Sequence, residues 1–453
     1  MQRRKPKHHQ TPPKIRPLVV GGGAREHALA WRLKKSPSVD TLYTTHPNNP
    51  GLAAICKPPD APFNISELYR LEQLISRERI NLVVVGPEQP LADGIADKLA
   101  HLENHPEPTL VFGPTAAAAQ IESSKAWAKK IMRAAAVPTA ESRTFKDAHG
   151  AIEYIRSRET PQVVKASGLA AGKGVFIPES ADDAVQAVQN LTSNPAFKDA
   201  ASEIIIEERL EGPEVSVFAI TDGKTIAVLD ACQDHKRLLD NDEGPNTGGM
   251  GAYCPVPDTI LPNHTLNDIA RAVLVPTIDA LKREDLTYKG VLYAGIMLTP
   301  AGPKVLEFNA RFGDPEAQCL VHRIKGDFAK LLFSAAAGNL DDAEFDTHDH
   351  AAVTIVLAAE GYPDAPVKGA EITGIEQAEA QEGITVFHAG TERKHGKVLT
   401  AGGRVLSVTA TAPTVTLARD NALAAAELIN FKGKQNRTDI AHQATNPATA
   451  NPA

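Results

Sequence analysis

The chain has 453 residues, 42% of them apolar, and carries 48 Lys plus Arg against 55 Asp plus Glu for a formal net charge of −7. That length exceeds one ordinary core and predicts two to four domains, while the mild acidity speaks against a general nucleic-acid or membrane-surface binder and leaves room for a local basic cleft or one anionic substrate. Cys56, Cys232, Cys254 and Cys319 show no CxxC pair or zinc spacing, no apolar run approaches a membrane span, and the basic start MQRRKPKHHQTPPKIRP lacks a signal core, so a cytoplasmic protein with a disordered arm over 1–16 is expected.

From Pro17 the pattern PLVVGGGAREHALAWRL reads as strand, glycine turn and amphipathic helix, a common opening of a doubly wound α/β domain, placed here at 17–120. Further strand-like runs lie at 41–45, 81–85 and 109–112. Three strands end in Gly or Pro turns, and because open α/β sheets bind ligands at carboxyl-terminal strand ends, those turns are expected to converge on a site. The first turn is no dinucleotide fingerprint, since Glu26 stands where GxGxxG needs glycine. It suits one phosphate, held by free amides and the helix dipole with Arg25 adding charge, or else a tight turn with no ligand.

A helix is predicted over 122–136, followed by a unit at 138–210 with strands at 162–166, 175–177 and 204–207 and a helix at 181–192. Between its strands, KASGLAAGKGV (165–175) places Gly172, Lys173 and Gly174 in a loop that fits a flap over a polyphosphate, although a surface hairpin has the same composition. It lacks the GxxxxGK[ST] of a P-loop. Lys165 within an apolar strand would be costly without an anion. In IIIEERLEGPEVSVF, Glu207 and Glu214 flank a chain reversal whose backbone near 208–210 could read an adenine edge, with Glu214 on a ribose diol. Strands at 215–221, 225–230, 291–298 and 304–308 follow, with a helix at 269–282. They are interrupted by CQDHKRLLDNDEGPNTGGMGAY, whose Asp234, His235, Lys236 and Arg237 exceed what a connector needs, a solvated loop being the alternative. In KVLEFNARFGDPE (304–316), Glu307 and Asn309 lie two apart on a strand, hence on one face, and offer the hard oxygen ligands that Mg²⁺ takes together with phosphate; a solvated strand face would read the same. Arg311 fits a γ-phosphate clamp or a bridge to Asp314. His348 and His350 read as a polar loop. Beyond 338, alternating runs predict a small strand-rich domain, and a disordered tail is expected over 436–453.

Taken in order, GGGAREHALAW, PNNPG, GPEQPLADG, FGPTAAAAQIESSK, KASGLAAGKGV, IIEERLEGPEVSV, QDHKRLLDNDEGPNTGGMGAY, YKGVLYAGIML and EFNARFGDPE resemble the phosphoribosylamine–glycine ligase family of the ATP-grasp superfamily, over about 18–432. The resemblance implies an α/β and α+β multidomain fold: a Rossmann-like N-terminal domain, an ATP-grasp domain over 121–345 with a mobile lid at 138–210, and a C-terminal domain at 346–435. It implies Lys125, Lys165, Gly172, Lys173 and Gly174 at the ATP phosphates, Glu207, Glu208 and Leu210 at the adenine, Glu214 at the ribose, and Glu307 and Asn309 on Mg²⁺, or on Mn²⁺ in its place. Gly23, Arg25, Asn49, Gly51, Glu88 and Arg311 would surround 5-phosphoribosylamine, with Lys165, Asp234 and Arg311 as the catalytic set. The implied reaction joins glycine to 5-phosphoribosylamine through glycyl phosphate, in a monomer or weak homodimer without nucleic acid or membrane. The rival readings are an ATP-grasp ligase for another acid or amine and a nucleotide-binding protein without turnover; the latter would lack Glu307, Asn309 or Lys165, and all three are present. Three residues depart from the family pattern: Ala24 and Asn48 replace glycines and Ser167 replaces Asp. Ala24 is the odder change if its position needs the left-handed region.

Overall fold

The computed structural model describes residues 14–60, 65–100, 109–170 and 173–445. Residues 1–13 of the expected arm, 446–453 of the expected tail, and Gly172 lie outside them, while the arm expectation fails at 14–16, where Ile15 is buried and bridges to Val39. The N-terminal sheet is parallel, in the order Tyr43–Thr44, Pro17–Val20, Leu82–Val85, Leu110–Phe112. Its central strands are apolar at every position because helices cover both faces, as a parallel sheet requires. Gly21 follows the first strand at φ +110°, a conformation that strains an L side chain, and a Cβ there would press on Pro87 and Glu26 at 2.8 Å. Two of the three strand-end turns therefore touch each other, while the third, at Gly113, packs instead on Gly290 of the following domain.

The helix predicted over 122–136 is two helices, Ala116–Ser123 and Lys125–Ala134, broken at Ser124. Ser124 is extended, and its side chain accepts the Trp127 N–H as an N-cap, which a continuous helix would forbid. The lid that follows is an antiparallel sheet in the order Ser142–Phe145, Ile204–Glu208, Gln162–Ala166, Val175–Phe176. Val164, Ala166, Ile204 and Ile206 face the helix Ala181–Ser193 and form a separate small core. Strand alternation then sends Lys165 and Glu207 to the opposite face. A second antiparallel sheet, in the order Ile226–Val228, Glu214–Thr221, Gly290–Thr299, Gly302–Asn309, forms the floor below the lid.

The C-terminal sheet runs Gln233–Asp234, Gly251–Cys254, Ala351–Ala358, Arg404–Ala412, Ile384–His388, backed by the helix Val415–Leu428. Its first two strands come from the insertion at 232–253, so that polar segment bridges the two domains rather than looping into solvent. The tail expectation fails over 436–445: Arg437, Ile440 and Ala441 are buried, and a short helix spans His442–Thr445. Among the described residues no helix is long and apolar enough to cross a membrane.

The first helix, Ala24–Lys34, packs against the strand Ile384–His388 through two buried histidines. His27 Nδ1 accepts the His388 N–H at 2.9 Å, and the imidazoles lie 5.8 Å apart. Burial, together with the neighbouring imidazole, pushes His27 down to about 3, and burial pushes His388 down to about 4. Both stay neutral in the fold but protonate near pH 6.5 once unfolded. The unfolded chain therefore binds more protons below that pH, and stability is expected to fall as pH drops from about 6.5 towards 4, by up to about 1.4 kcal/mol per unit for each histidine. Urea unfolding across that range checks this, with His388→Gln expected to flatten the slope; an unchanged slope in the variant would reject it.

Candidate active site

The strand Gly302–Asn309 carries Glu307 opposite Gly295 and Asn309 opposite Tyr293, on one face of the floor sheet. Among the described residues the Glu307 carboxylate has no hydrogen-bond or ion-pair partner. Burial opposes its ionisation, but Lys236, Lys125, Lys165 and Arg311 outweigh that and hold it below the usual carboxylate range. A carboxylate left open amid four cations is arranged for a ligand that brings both metal and phosphate charge. Among the described residues no group of three or more His, Cys, Asp or Glu gathers as a metal cage. A Glu–Asn pair that leaves the remaining positions to phosphate and water fits Mg²⁺, which rarely sits in an all-protein cage.

From the lid, Lys165 Nζ lies 2.9 Å from Glu207 Oε2, and Lys129 Nζ lies 3.1 Å from Glu207 Oε1, all three buried. The two lysines hold the Glu207 carboxyl low against burial, and burial pushes Lys129 down to about 8 despite Glu207. The Glu207 carboxylate thus points at lysines and sets the position of Lys165. Glu208 accepts from Lys304 at 2.7 Å and from the Glu141 N–H at 3.0 Å. Among the described residues nothing meets the backbone N–H or carbonyl of Leu210, which leaves one donor and one acceptor for a flat polar edge. Glu207→Gln is expected to cost about 3 kcal/mol in urea unfolding, because two buried ammonium groups lose their counter-charge; a loss below about 1 kcal/mol would mean that the lysines are solvated.

Lys236 pairs with Glu214. Burial chiefly pushes the Asp234 carboxyl up to about 8, with Glu316, Glu214 and Glu307 adding to it against Lys236. Burial and Lys165 lower Lys125 against the pull of Glu307. The Lys125 N–H donates to Ser167 O at 2.8 Å, and Ser167 Oγ accepts the Ala126 N–H at 3.1 Å. Ser167 therefore caps the helix as the family's Asp could, without its charge. Lys173, with an exposed ammonium 3.8 Å from Asp364, is not gathered with the other lysines, and the Gly174 carbonyl accepts the Ala166 N–H.

Arg311 ties the floor to the N-terminal turns. It lies 3.0 Å from Glu122, 3.5 Å from Glu88, and donates to Asn309 Oδ1 at 3.2 Å, while Glu122 also accepts the Ala310 N–H at 2.8 Å. It makes no ion pair with Asp314, which is taken by Arg404 at 3.0 Å. Arg25 is buried between Glu26 (2.6 Å) and the Phe312 carbonyl (3.3 Å), and Gly23 faces the Asp314 carboxylate. Asn49 is occupied within the protein: Oδ1 accepts from the Gly51 and Leu52 N–H groups, and Nδ2 donates to Gly22 O and His388 O, each at 2.9 Å. Any side chain at Gly51 would collide with His27. Asn49 thus supports the Gly21–Gly23 turn, and Gly51 leaves room for His27. Ala24 opens a helix, and neither it nor Asn48 has positive φ, so the two departures carry no backbone strain. Glu122, Lys129, Glu26 and Arg404 were not singled out from sequence; Glu122 lay within the motif FGPTAAAAQIESSK, whose helical spacing alone does not mark it as an acceptor for Arg311.

Three family models cover most of the chain: the phosphoribosylglycinamide synthetase N domain at 15–122, its ATP-grasp (A) domain at 123–317 and its C domain at 352–443. A phosphoribosylamine–glycine ligase of Rhodopirellula baltica is 45% identical over 94% of this chain and 97% of its own. The trifunctional purine biosynthetic protein adenosine-3 of Homo sapiens is 46% identical over 95% of this chain, which spans 42% of that longer protein. In three dimensions, the crystal structure of phosphoribosylamine–glycine ligase from Thermotoga maritima matches with a TM-score of 0.77 at 31% identity, covering 94% of this chain and 100% of that one. The N, ATP-grasp and C domain models follow one another along this chain, matching its parallel sheet, its two antiparallel sheets with Lys165, Glu307 and Asn309, and its C-terminal sheet, and the chain belongs to the phosphoribosylamine–glycine ligase family of ATP-grasp enzymes.

Proposed function

We propose that this protein joins glycine to 5-phosphoribosylamine at the expense of ATP, giving glycinamide ribonucleotide, ADP and phosphate, the second step of de novo purine synthesis. The observation that carries the reading is the open Glu307 carboxylate beside Asn309, ringed by Lys125, Lys165, Lys236 and Arg311 and joined through Arg311 to Glu88 at the N-terminal turns. A glycine carboxylate is a poor electrophile. Transfer of the γ-phosphoryl group to its oxygen gives glycyl phosphate and ADP; the amine nitrogen then attacks the carbonyl carbon, phosphate leaves with the C–O bond electrons, and the amine sheds a proton.

In this reading Lys125 and Lys165 hold the phosphates, Leu210 offers its backbone to adenine, Glu214 takes the ribose hydroxyls, and Gly174 and Lys173 belong to the flap that excludes water from the acyl phosphate. Glu307 and Asn309 would hold Mg²⁺, which when bound neutralises charge on the transferring group. Arg25, Gly23 and Glu88 line the ribotide side, Arg311 spans both halves, and Asp234 belongs to the catalytic set beside Lys236. No side chain serves as a nucleophile. ADP release by purified protein, with Mg²⁺-ATP, glycine and freshly generated phosphoribosylamine each omitted in turn, tests the assignment. Release that needs all three supports it, and release driven by another acid or amine overturns the substrates while leaving the nucleotide site.

A further inference from the structure

The hairpin Arg237–Leu239/Glu243–Asn246 lies between two segments of the site and is poorly supported by apolar packing: residues 243–246 are all exposed. On one side it follows Lys236, the partner of Glu214; on the other it leads to Gly248, whose carbonyl accepts from Arg404 beside Asp314. Its turn places Asn241 at φ 60° and Asp242 at φ 54°, so it does not hold its shape by backbone preference. Within the hairpin Arg237 donates to the Gly244 carbonyl and Thr247 donates from its backbone and hydroxyl to the Lys236 carbonyl, but none of these bonds reaches the turn 240–242, whose ordering costs conformational entropy.

The C-terminal segment supplies the missing contacts. Arg437 is fully buried; its guanidinium donates to Asp242 Oδ1 at 2.7 Å, to Asp439 Oδ1 at 2.7 Å and Oδ2 at 2.8 Å, and to the Arg237 carbonyl at 3.2 Å. Thr438 donates to Asp240 from its backbone (2.8 Å) and its hydroxyl (2.6 Å), and Asp439 accepts the Asn241 N–H at 2.8 Å. Further along, the Ala441 N–H donates to Nε2 of His235, the residue between Asp234 and Lys236. Every residue of the turn Asp240-Asn241-Asp242 is gripped by Arg437-Thr438-Asp439, and none of these six makes a hydrogen bond or ion pair with Glu307, Asn309 or Lys165.

We infer that residues 437–441 form a clamp that fixes the hairpin and thereby sets Lys236 against Glu214 in the nucleotide pocket, which makes Arg437 a positioning residue for ATP. This rests on the reading of Glu214 as a nucleotide contact. The test titrates ADP with Mg²⁺ into the full chain and into three variants, with thermal midpoints measured in parallel. Asp240→Ala with Asp242→Ala removes acceptors at the solvent side of the clamp and is expected to weaken ADP about ten-fold with a midpoint within a few degrees of wild type. Asp240→Asn with Asp242→Asn keeps the oxygen acceptors and is expected to recover most of that affinity. Affinity of the alanine pair within two-fold of wild type, while Glu214→Gln is weakened, overturns the clamp. Equal weakening in the alanine and asparagine pairs, accompanied by a large drop in midpoint, marks a merely structural role and overturns it too. Unchanged affinity in Glu214→Gln removes the nucleotide contact on which the inference stands.

Discussion

Glu307→Gln is expected to lower kcat/KM for ATP by about 10²–10³-fold, equivalent to about 3–4 kcal/mol of transition-state stabilisation, at a cost of only about 1 kcal/mol in folding stability. The asymmetry follows from what the carboxylate touches. Among the described residues it bonds to nothing, so its amide replacement breaks no contact and loses only the favourable field of the surrounding lysines and Arg311. A transferring phosphoryl group, by contrast, needs a metal held where charge develops, and two neutral amides without a carboxylate would hold Mg²⁺ more weakly than the Glu–Asn pair. Two readouts separate this from general damage. The Mg²⁺ concentration for half-maximal rate should rise, and glycine binding measured without nucleotide should not change. A variant within three-fold of wild type at unaltered Mg²⁺ dependence would remove Glu307 from the metal site.

Which parts of this site are legible in the linear chain depends on the range of the interaction. Glu307 and Asn309 could be read because strand period two puts them on one face, and the same alternation marks Lys165 as a cation with an apolar strand around it. The resemblance implies Glu207 at the adenine, but its carboxylate answers Lys129 and Lys165, and pairings between separate elements leave no periodic trace. The Glu122–Ala310 contact, 188 residues apart, is invisible for the same reason. The resemblance implies Asn49 and Gly51 beside the ribotide, whereas the helix cap made by Asn49 and the room that Gly51 leaves for His27 are visible only in the packing. The segment 436–445 was misread because composition does not register that one buried arginine can anchor a polar stretch. The insertion at 232–253 likewise hid two strands of another domain's sheet, since an antiparallel edge is completed by a partner about a hundred residues later, at Ala351–Ala358.

Arg311 raises the sharper question of whether it serves structure or chemistry, and a thermodynamic cycle with Glu122 separates the two. Arg311→Met leaves the buried carboxylate of Glu122 without its cation, and a stranded buried charge of this kind costs about 3–5 kcal/mol. Burial already pushes the Glu122 carboxyl up while Arg311 pulls it down, so removing the guanidinium leaves burial unopposed by its main counter-charge. Glu122→Gln alone should cost less, because Arg311 keeps Glu88 and an amide oxygen can still accept the Ala310 N–H. The double variant should then be more stable than Arg311→Met by about 2 kcal/mol, because the costs of changing two groups in direct contact do not add. Activity should not follow stability. Among the described residues Arg311 meets both Asn309 and Glu88, and nothing in the double variant replaces its fixed positive charge, which the proposed mechanism sets between the phosphoryl group and the ribotide. Both Arg311→Met and the double variant are therefore expected to lose about 10³-fold in kcat/KM, measured on folded protein below its unfolding midpoint. Recovery of turnover together with stability in the double variant would make Arg311 a structural bridge, and the charge on the transferring group would then have to be met by Lys125 and Lys165 alone.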